Sequence, residues 1–247
     1  MKLALLSLGV FLGLYFVLQA HKEKLRWPSI LRLVVKKRPE ADGEVACRLL
    51  AILHAVLVCI LSALSNLVIG PWAYSAVGEV NTAFQKFVLS VSLGYFLFDF
   101  LWCLLSGGET WLMIGHHGAS IFCCLLSLMT NVSGSEVVGC LFGAEVSNPF
   151  LQARWFMLEA GLRETRACRI IEVTFALVFL SCRVFWAPTL LWVVVASPKP
   201  PQTIKVGAVL LQIISWTWSF FVAKKLFAAF KHLRQNDNQE SKLQKTE

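Results

Sequence analysis

Polar and basic segments divide the chain into seven apolar stretches, each near the length of a membrane-spanning helix. They cover positions 3–20, 45–69, 84–105, 111–130, 137–158, 171–196 and 204–227. A helix needs about 20 apolar residues to cross a bilayer. The hydrocarbon core holds no water to satisfy backbone groups, so stretches this long predict helices and exclude a barrel. Pro149 and Pro188 fall inside two of them and predict kinks. We therefore predict an all-α polytopic membrane protein, a bundle of six to seven transmembrane helices.

The composition agrees with a chain that lies mostly inside a membrane. Hydrophobic residues make up 57% and charged residues 15% of the 247 positions, and the mean hydropathy is +0.65. Soluble domains carry about 25% charged residues, so a soluble fold is excluded. The net charge of +8 is typical of cytoplasmic loops in a polytopic protein, and we expect no nucleic-acid partner. The eight cysteines include no Cys-x-x-Cys pair, which predicts neither a disulfide framework nor a zinc site.

These patterns predict three segments. Residues 1–44 hold a first span or signal anchor and a basic cytoplasmic loop, residues 45–230 hold about six further spans, and residues 231–247 form a disordered cytoplasmic tail. The first stretch has the outline of a signal peptide. It lacks the small residue three positions before the expected cleavage point, however, and a basic segment follows it, so we expect it to be retained.

The lysines and arginines predict the orientation of the bundle. Seven of them follow the first span, namely Lys22, Lys24, Arg26, Arg32, Lys36, Lys37 and Arg38. Such a cluster is typical of the cytoplasmic side. With seven spans, sixteen of the 23 basic residues then lie in the cytoplasm, three lie outside, and four lie within or at the edges of spans. We expect an external N-terminus and a cytoplasmic C-terminus, in the membrane of the endoplasmic reticulum or secretory pathway or in the plasma membrane.

Polar side chains inside three successive spans point to a site. An Asp, Lys or Arg at a helix centre costs about 2.5–3.5 kcal/mol on insertion scales, so each needs a reason. Asp99 lies seven residues before the turn at 106–110 and His116 six residues after it, which places both about 10 Å below the cytoplasmic boundary. One face of the next span carries Glu145, Asn148 and Gln152, which are spaced i, i+3 and i+7. The sequence predicts a polar pocket in the cytoplasmic half of the bilayer, walled by spans three, four and five.

The histidine pair suggests chemistry for this pocket. Neutral imidazole serves as a nucleophile or base near pH 7, and a carboxylate such as Asp99 or Glu145 fixes its tautomer. Proton or acyl transfer by His116 and His117 with Asp99 is therefore one interpretation. Adjacent histidines of a helix point about 100° apart and chelate poorly together, so we predict no metal site.

The same residues also have a purely structural interpretation. They hydrogen-bond to one another and fix the register of the helices, with Glu145 neutralising Arg183. Arg48 and Arg154 are expected to extend to the inner surface. His54, alone in the second span, is expected to be a hydrogen-bonded core residue.

Three motifs resemble those of the TLC domain, which is shared by ceramide synthases, translocon-associated membrane proteins and smaller TLC domain-containing proteins. They are Tyr95-Phe96-x-x-Asp99, His116-His117-Gly118 and Glu145-Val-Ser-Asn148-Pro-Phe-Leu-Gln152. The resemblance covers roughly residues 45–230. The length of the chain and its Glu-x-Ser-Asn-Pro-Phe stretch are most similar to the smaller members.

The resemblance implies a lipid-related activity. In ceramide synthases the paired histidines, with a His-Asp-x-x-Asp-x-x-x-Glu stretch on the next helix, transfer an acyl group from acyl-CoA to a sphingoid amine. Here the pair is His116 and His117, and the later positions are Ala144, Glu145, Asn148 and Gln152. One histidine is missing and two carboxylates are amides, so ceramide synthesis itself is not implied, and the sequence leaves open whether the chain is an enzyme.

Three functions are left open. In the first, the protein binds a membrane lipid in the pocket, influences membrane lipid composition and needs no cofactor; the pocket residues are Tyr95, Glu145, Asn148 and Gln152. In the second it is an acyltransferase with acyl-CoA as co-substrate and His116, His117 and Asp99 as catalytic residues. In the third it is a cargo receptor or chaperone for membrane proteins. The expected partners are membrane lipids and acyl-CoA, and a homodimer stays an open alternative.

Overall fold

The structure is a bundle of α-helices, as predicted. The computed structural model describes residues 1–21, 29–38, 42–107 and 110–243. Its helices are α1 (Lys2–Ala20), α2 (Ser29–Lys37), α3 (Asp42–Ala63), α4 (Ala83–Ser106), α5 (Trp111–Thr130), α6 (Gly134–Glu145), α7 (Asn148–Glu159), α8 (Arg166–Leu180), α9 (Ala187–Ala196) and α10 (Gln202–Leu243). A π-helical turn, Leu64–Ile69, extends α3, and a second one, Ser181–Trp186, joins α8 to α9.

Six helical segments of the described chain are long and apolar enough to cross a membrane. They are Lys2–Ala20, Gly43–Ile69, Ala83–Ser106, Trp111–Thr130, Arg166–Ala196 and Gln202–Ala228. The stretch predicted at 137–158 forms the two 12-residue helices α6 and α7 instead. With the two residues between them they span about 39 Å at 1.5 Å per residue, enough for one more crossing. The predicted all-α membrane architecture is confirmed.

The break between α6 and α7 follows from the local sequence. Pro149 lies in the first turn of α7. Its ring has no N–H to donate and disfavours a helical conformation at the residue before it, so a helix ends ahead of it and a new one begins. Pro188 acts differently, because the π-helical turn Ser181–Trp186 lies directly before it and the helix continues. Both kinks predicted from the sequence lie at breaks in regular α-helix.

The bundle has two distinct ends. At one, which we call the basic end, the Lys37 ammonium donates to the carbonyl of Ala160 over 2.9 Å and Arg38 pairs with Glu159 at 3.1 Å. At the opposite end Lys199 forms an ion pair with Glu79. There the backbone N–H of Gly134 also donates to the Asn81 side chain over 2.6 Å. The broken pair α6–α7 therefore runs from the opposite end to the basic end.

Close packing joins α1 to the rest of the bundle. The Ser7 hydroxyl donates to the carbonyl of Val91 over 2.9 Å, and the Phe11 ring packs edge-on against Tyr95 with the ring centroids 5.1 Å apart. A Cβ atom added at Gly94 would lie 2.5 Å from the Ser7 Cβ atom. The small residue thus lets α1 and α4 approach closely, as is common between membrane helices.

The tail differs from the sequence prediction of disorder beyond residue 230. The helix α10 continues to Leu243, and residues 244–247 lie outside the described part of the chain. Glutamine, lysine, glutamate and leucine are good helix formers, and extending an existing helix avoids the cost of nucleation. A polar segment without an apolar face therefore continues a helix that the membrane segment has already started.

Candidate functional site

A chain of hydrogen bonds runs along α7, as the i, i+3, i+7 spacing predicted. The Asn148 amide donates to the Glu145 carboxylate over 3.0 Å, and the Gln152 amide donates to the Asn148 oxygen over 2.8 Å. Glu145 and Gln152 are both buried. The helix α6 thus ends at the carboxylate of Glu145, which accepts a hydrogen bond from Asn148 at the start of α7.

Arg48 extends this chain toward the basic end. Its guanidinium donates to Gln152 over 2.8 Å and to Glu44 over 2.7 Å, and lies 4.3 Å from the centre of the Trp155 ring. We expected Arg48 to extend to the inner surface. In the structure its side chain instead lies between α3 and α7 and contacts both. The reason is that Glu44 and Gln152 together supply the acceptors that water would otherwise provide.

His54 is a core residue, as the sequence interpretation expected, but its ring nitrogens have no hydrogen bond among the described residues and it also adjoins Glu145. Its ring is fully buried and stacks on Tyr95, with the centroids 3.9 Å apart and the planes at 10°. Its Nδ1 atom lies 3.8 Å from the Glu145 carboxylate. An isolated ionisable residue at mid-span was the available signal, because such residues usually face other helices. Tyr95, predicted as a pocket residue, is buried behind His54.

Asp99 meets His117 between α4 and α5, whereas the hairpin geometry placed His116 beside it. The Nε2 atom of His117 lies 3.4 Å from Asp99 Oδ2, and the Cys47 thiol donates to Asp99 Oδ1 over 3.4 Å. Cys103 joins them, since one ligand atom from each of Asp99, Cys103 and His117 lies within 4.8 Å of the other two. This group has the composition of a cation site, which the sequence analysis did not predict.

His116 faces a different part of the bundle from His117. The two rings are 5.7 Å apart, and His116 packs edge-on against Trp218 of α10 at 5.1 Å. Its Nδ1 atom is buried and has no hydrogen-bond partner among the described residues. The two histidines therefore divide their roles, with His117 beside Asp99 and His116 in the wall of a pocket.

That pocket encloses about 860 Å³ of empty space, its open mouth included. Residues from α4, α5, α6, the second π-helical turn, α9 and α10 line it. Much of the wall is aliphatic, including Val137, Leu141, Leu190, Leu191, Val194 and Ile204. Four ionisable side chains also line it, His116, Glu136, Glu145 and Arg183. An apolar cavity with a few convergent polar groups is the common form of a ligand site.

Arg183 does not form the ion pair with Glu145 that the structural interpretation expected. Its guanidinium donates to the carbonyl of Ala144 over 3.0 Å and lies 5.3 Å from the centre of the Phe179 ring. Its Nε atom is buried and unpartnered among the described residues. Arg154, which was expected at the inner surface, pairs with Glu172 at 2.9 Å. The π-helical turn places Arg183 beside Ala144, and the Arg183 side chain lines the pocket.

Comparisons with known proteins agree with this architecture. The TLC domain family model, named for the TRAM, LAG1 and CLN8 proteins, matches residues 44–224, well over half of the chain. TLC domain-containing protein 2 of Danio rerio is 30% identical over 95 residues, which cover 37% of this chain and 38% of that relative. The match thus spans less than half the length of this relative. The extent of the family match shows that the chain belongs to the TLC domain family.

Proposed function

We propose that this TLC-domain membrane protein binds one membrane lipid in the pocket between α5, α6, α9 and α10 and thereby influences membrane lipid composition. One observation carries the proposal: a largely aliphatic pocket, about 860 Å³ with its open mouth included, has an imidazole, two carboxylates and a guanidinium in its wall. A purely apolar cavity would accept any hydrocarbon, whereas the four ionisable groups select a ligand with a polar head.

The walls suit the two parts of a lipid. Val137, Leu190 and Val194 offer aliphatic surface to an acyl chain. The Arg183 guanidinium suits a phosphate or carboxylate oxygen, because its planar fork donates to two acceptors at once. Glu145 offers acceptors to an ammonium or hydroxyl group. The unpartnered nitrogen atoms of His116 and Arg183 are donors or acceptors that such a head group would satisfy.

The place of this chain within the family and its cellular location are part of the same proposal. The name of the Danio rerio relative states its domain and no ligand. On length and the stretch 145–150, we infer that the chain is most similar to the small member called TLC domain-containing protein 5. The clustering of lysines and arginines supports a cytoplasmic basic end in a secretory-pathway or plasma membrane. A glycosylation acceptor added ahead of Met1 is then modified, and one added after Glu247 is not.

A second candidate, acyl transfer from acyl-CoA, is favoured by the contact between His117 and Asp99. In that reaction an imidazole nitrogen attacks the thioester carbonyl, the thiolate of coenzyme A leaves, and the acyl group passes to a lipid acceptor. The 3.4 Å contact orients the ring of His117, while His116 lies in the lipid pocket. Cargo reception stays an expectation from the family resemblance.

A rescue experiment tests the lipid role. Cells that lack the protein receive the wild type, the double variant His116→Ala plus His117→Ala, or the control His21→Ala at matched protein levels. His21 is exposed at the end of α1, far in sequence from the pocket. We expect the wild type and the control to restore the lipid class that changes in the knockout cells, and the double variant to fail.

Two results decide between the candidates. Full rescue by the well-expressed double variant would contradict a role of the histidine pair in lipid handling. If the pair is needed, the purified protein is incubated with labelled acyl-CoA and membrane lipid. Transfer of the label to lipid, lost in the double variant, establishes the acyltransferase, and its absence favours binding alone.

A further inference from the structure

We propose that Asp99, Cys103 and His117 bind one Zn²⁺ ion between α4 and α5. This inference goes beyond the proposed lipid role and does not depend on it. Asp99 and Cys103 are four residues apart on α4 and so lie on one helix face. His117 reaches the same point from α5, and the three ligand atoms lie within 4.8 Å of one another.

The separation of the imidazole and the carboxylate is compatible with two ligands of one metal ion. His117 Nε2 and Asp99 Oδ2 are 3.4 Å apart, longer than the 2.7–3.2 Å of an N–H···O hydrogen bond. Ligands about 2.0–2.3 Å from a tetrahedral Zn²⁺ are about 3.3–3.8 Å from each other. The carboxylate and imidazole are thus separated as two ligands of one zinc ion are.

The ligand types select the metal. A thiolate and an imidazole are ligands that Zn²⁺ prefers, and a carboxylate is a common third. Magnesium and calcium prefer oxygen ligands alone. Cys103 and His117 are 5% and 7% exposed, so the site is closed to bulk water on most sides. The mixed set therefore favours zinc among the abundant divalent cations.

Cys47 orients the carboxylate. Its thiol donates to Asp99 Oδ1 over 3.4 Å, while Oδ2 of the same carboxylate faces His117. One oxygen is thereby held from α3 and the other is left for the metal. Carboxylate ligands are commonly fixed in this way by an outer hydrogen bond, and loss of such a partner weakens metal binding about 10–100-fold.

Charge balance supports a cation at this depth. Within the described part of the chain, the ion pairs join Asp99 to His117 and to no lysine or arginine. A carboxylate inside a membrane-spanning helix is costly without a cation, and the Asp99 side chain is only 16% exposed. One Zn²⁺ with the carboxylate of Asp99, the thiolate of Cys103 and a neutral imidazole has no net charge.

The proposal divides the histidine pair by role. A zinc ion on Nε2 of His117 takes the lone pair that a base would use, so His116 remains the imidazole available to a ligand in the pocket. Three protein ligands leave a fourth zinc position for water or substrate, as in catalytic zinc sites.

Metal content and cobalt spectra test the site on the full-length protein in detergent micelles, with an affinity tag free of histidine and cysteine. We expect about one zinc ion per chain after purification, by elemental mass spectrometry. The protein is then stripped with a chelator and titrated with Co²⁺ alone. Ligation by Cys103 gives a thiolate-to-cobalt charge-transfer band. This band is measured on the wild type, so the result does not depend on the folding of any variant.

Matched variants assign the ligands. Cys103→Ser, Asp99→Asn and His117→Gln are each expected to weaken zinc binding more than 100-fold, and Cys47→Ala about 10–100-fold. The controls Cys123→Ser and His116→Gln change the same residue types on α5 outside the cluster and should retain the metal and the band. A wild type without stoichiometric zinc and without the band would overturn the proposal, as would a band that survives Cys103→Ser.

Discussion

At the scale of single residues, helix periodicity predicted which polar side chains of one segment lie on the same face. The spacing of Glu145, Asn148 and Gln152 predicted one face, and these three side chains do form one hydrogen-bonded chain. The distance from one turn predicted His116 beside Asp99, and the structure places the adjacent His117 there instead. The roles of Arg48 and His54 could not be predicted, because they depend on which face of α3 packs against α7. Spacing within one helix does not contain that information.

Removal of Gln152 tests the polar chain. Gln152→Leu removes one acceptor of Arg48, which keeps Glu44, and the donor to the Asn148 side-chain oxygen, which loses its hydrogen bond at a half-buried position. We expect the free energy of unfolding to fall by about 1–3 kcal/mol, measured by denaturant titration in micelles. The control Gln202→Leu makes the same change at an exposed position at the start of α10 and should shift it by less than about 0.5 kcal/mol. Equal effects of the two changes would show that the hydrogen-bonded chain of side chains contributes nothing to the free energy of unfolding.

At the scale of helices, the apolar stretches predicted where crossings occur but not how each is built. Pro149 marks a full break, with one helix on either side, whereas Pro188 follows a π-helical turn inside one continuous segment. The difference depends on tertiary contacts. Trp186 packs against Gly143 and donates its indole N–H to the carbonyl of Gly139 over 3.3 Å. That contact supports the wider turn, and single-span hydropathy cannot show it.

The approach of α1 to α4 gives a prediction for an element contact. Gly94→Ala places a methyl group 2.5 Å from the Ser7 Cβ atom and 2.6 Å from the Leu8 backbone nitrogen. We expect it to lower the free energy of unfolding by about 1–3 kcal/mol, because one of the two backbones must move. In Gly13→Ala, also mid-helix, the methyl group meets nothing within 4 Å, and the gain in helix propensity should raise stability by up to about 1 kcal/mol. Denaturant titration of both variants in one detergent compares them, and a Gly94 variant as stable as the wild type would refute the close contact.

At the scale of the whole molecule, the class of fold was predictable and the shape of the pocket was not. Low charge and long apolar stretches suffice for an all-α membrane bundle, since continuous apolar stretches of this length satisfy their backbone groups in lipid only as helices. The sequence predicted a pocket walled by the third to fifth spans. The cavity instead extends toward the opposite end of the bundle, and Tyr95, Asn148 and Gln152 do not line it. Its walls also come from α9 and α10, including Leu190 and Ile204. Those residues are ordinary aliphatic positions in the sequence, and only the packing of distant helices gives them a role.

The measurement that tests the central claim most directly is lipid photo-crosslinking of the purified full-length protein. A membrane phospholipid with a photoreactive acyl chain is added in nanodiscs, and the labelled peptides are mapped by mass spectrometry. The variant Ala208→Trp places an indole in the pocket wall, and the control Ala228→Trp places one on the exposed surface of the same helix. We expect saturable labelling of the pocket segments of α5, α6 and α9. In Ala208→Trp it should fall about tenfold, equivalent to about 1.4 kcal/mol of binding free energy, and in Ala228→Trp it should be unchanged. Labelling confined to lipid-facing side chains, unsaturable and equal in both variants, would contradict a lipid site inside the bundle.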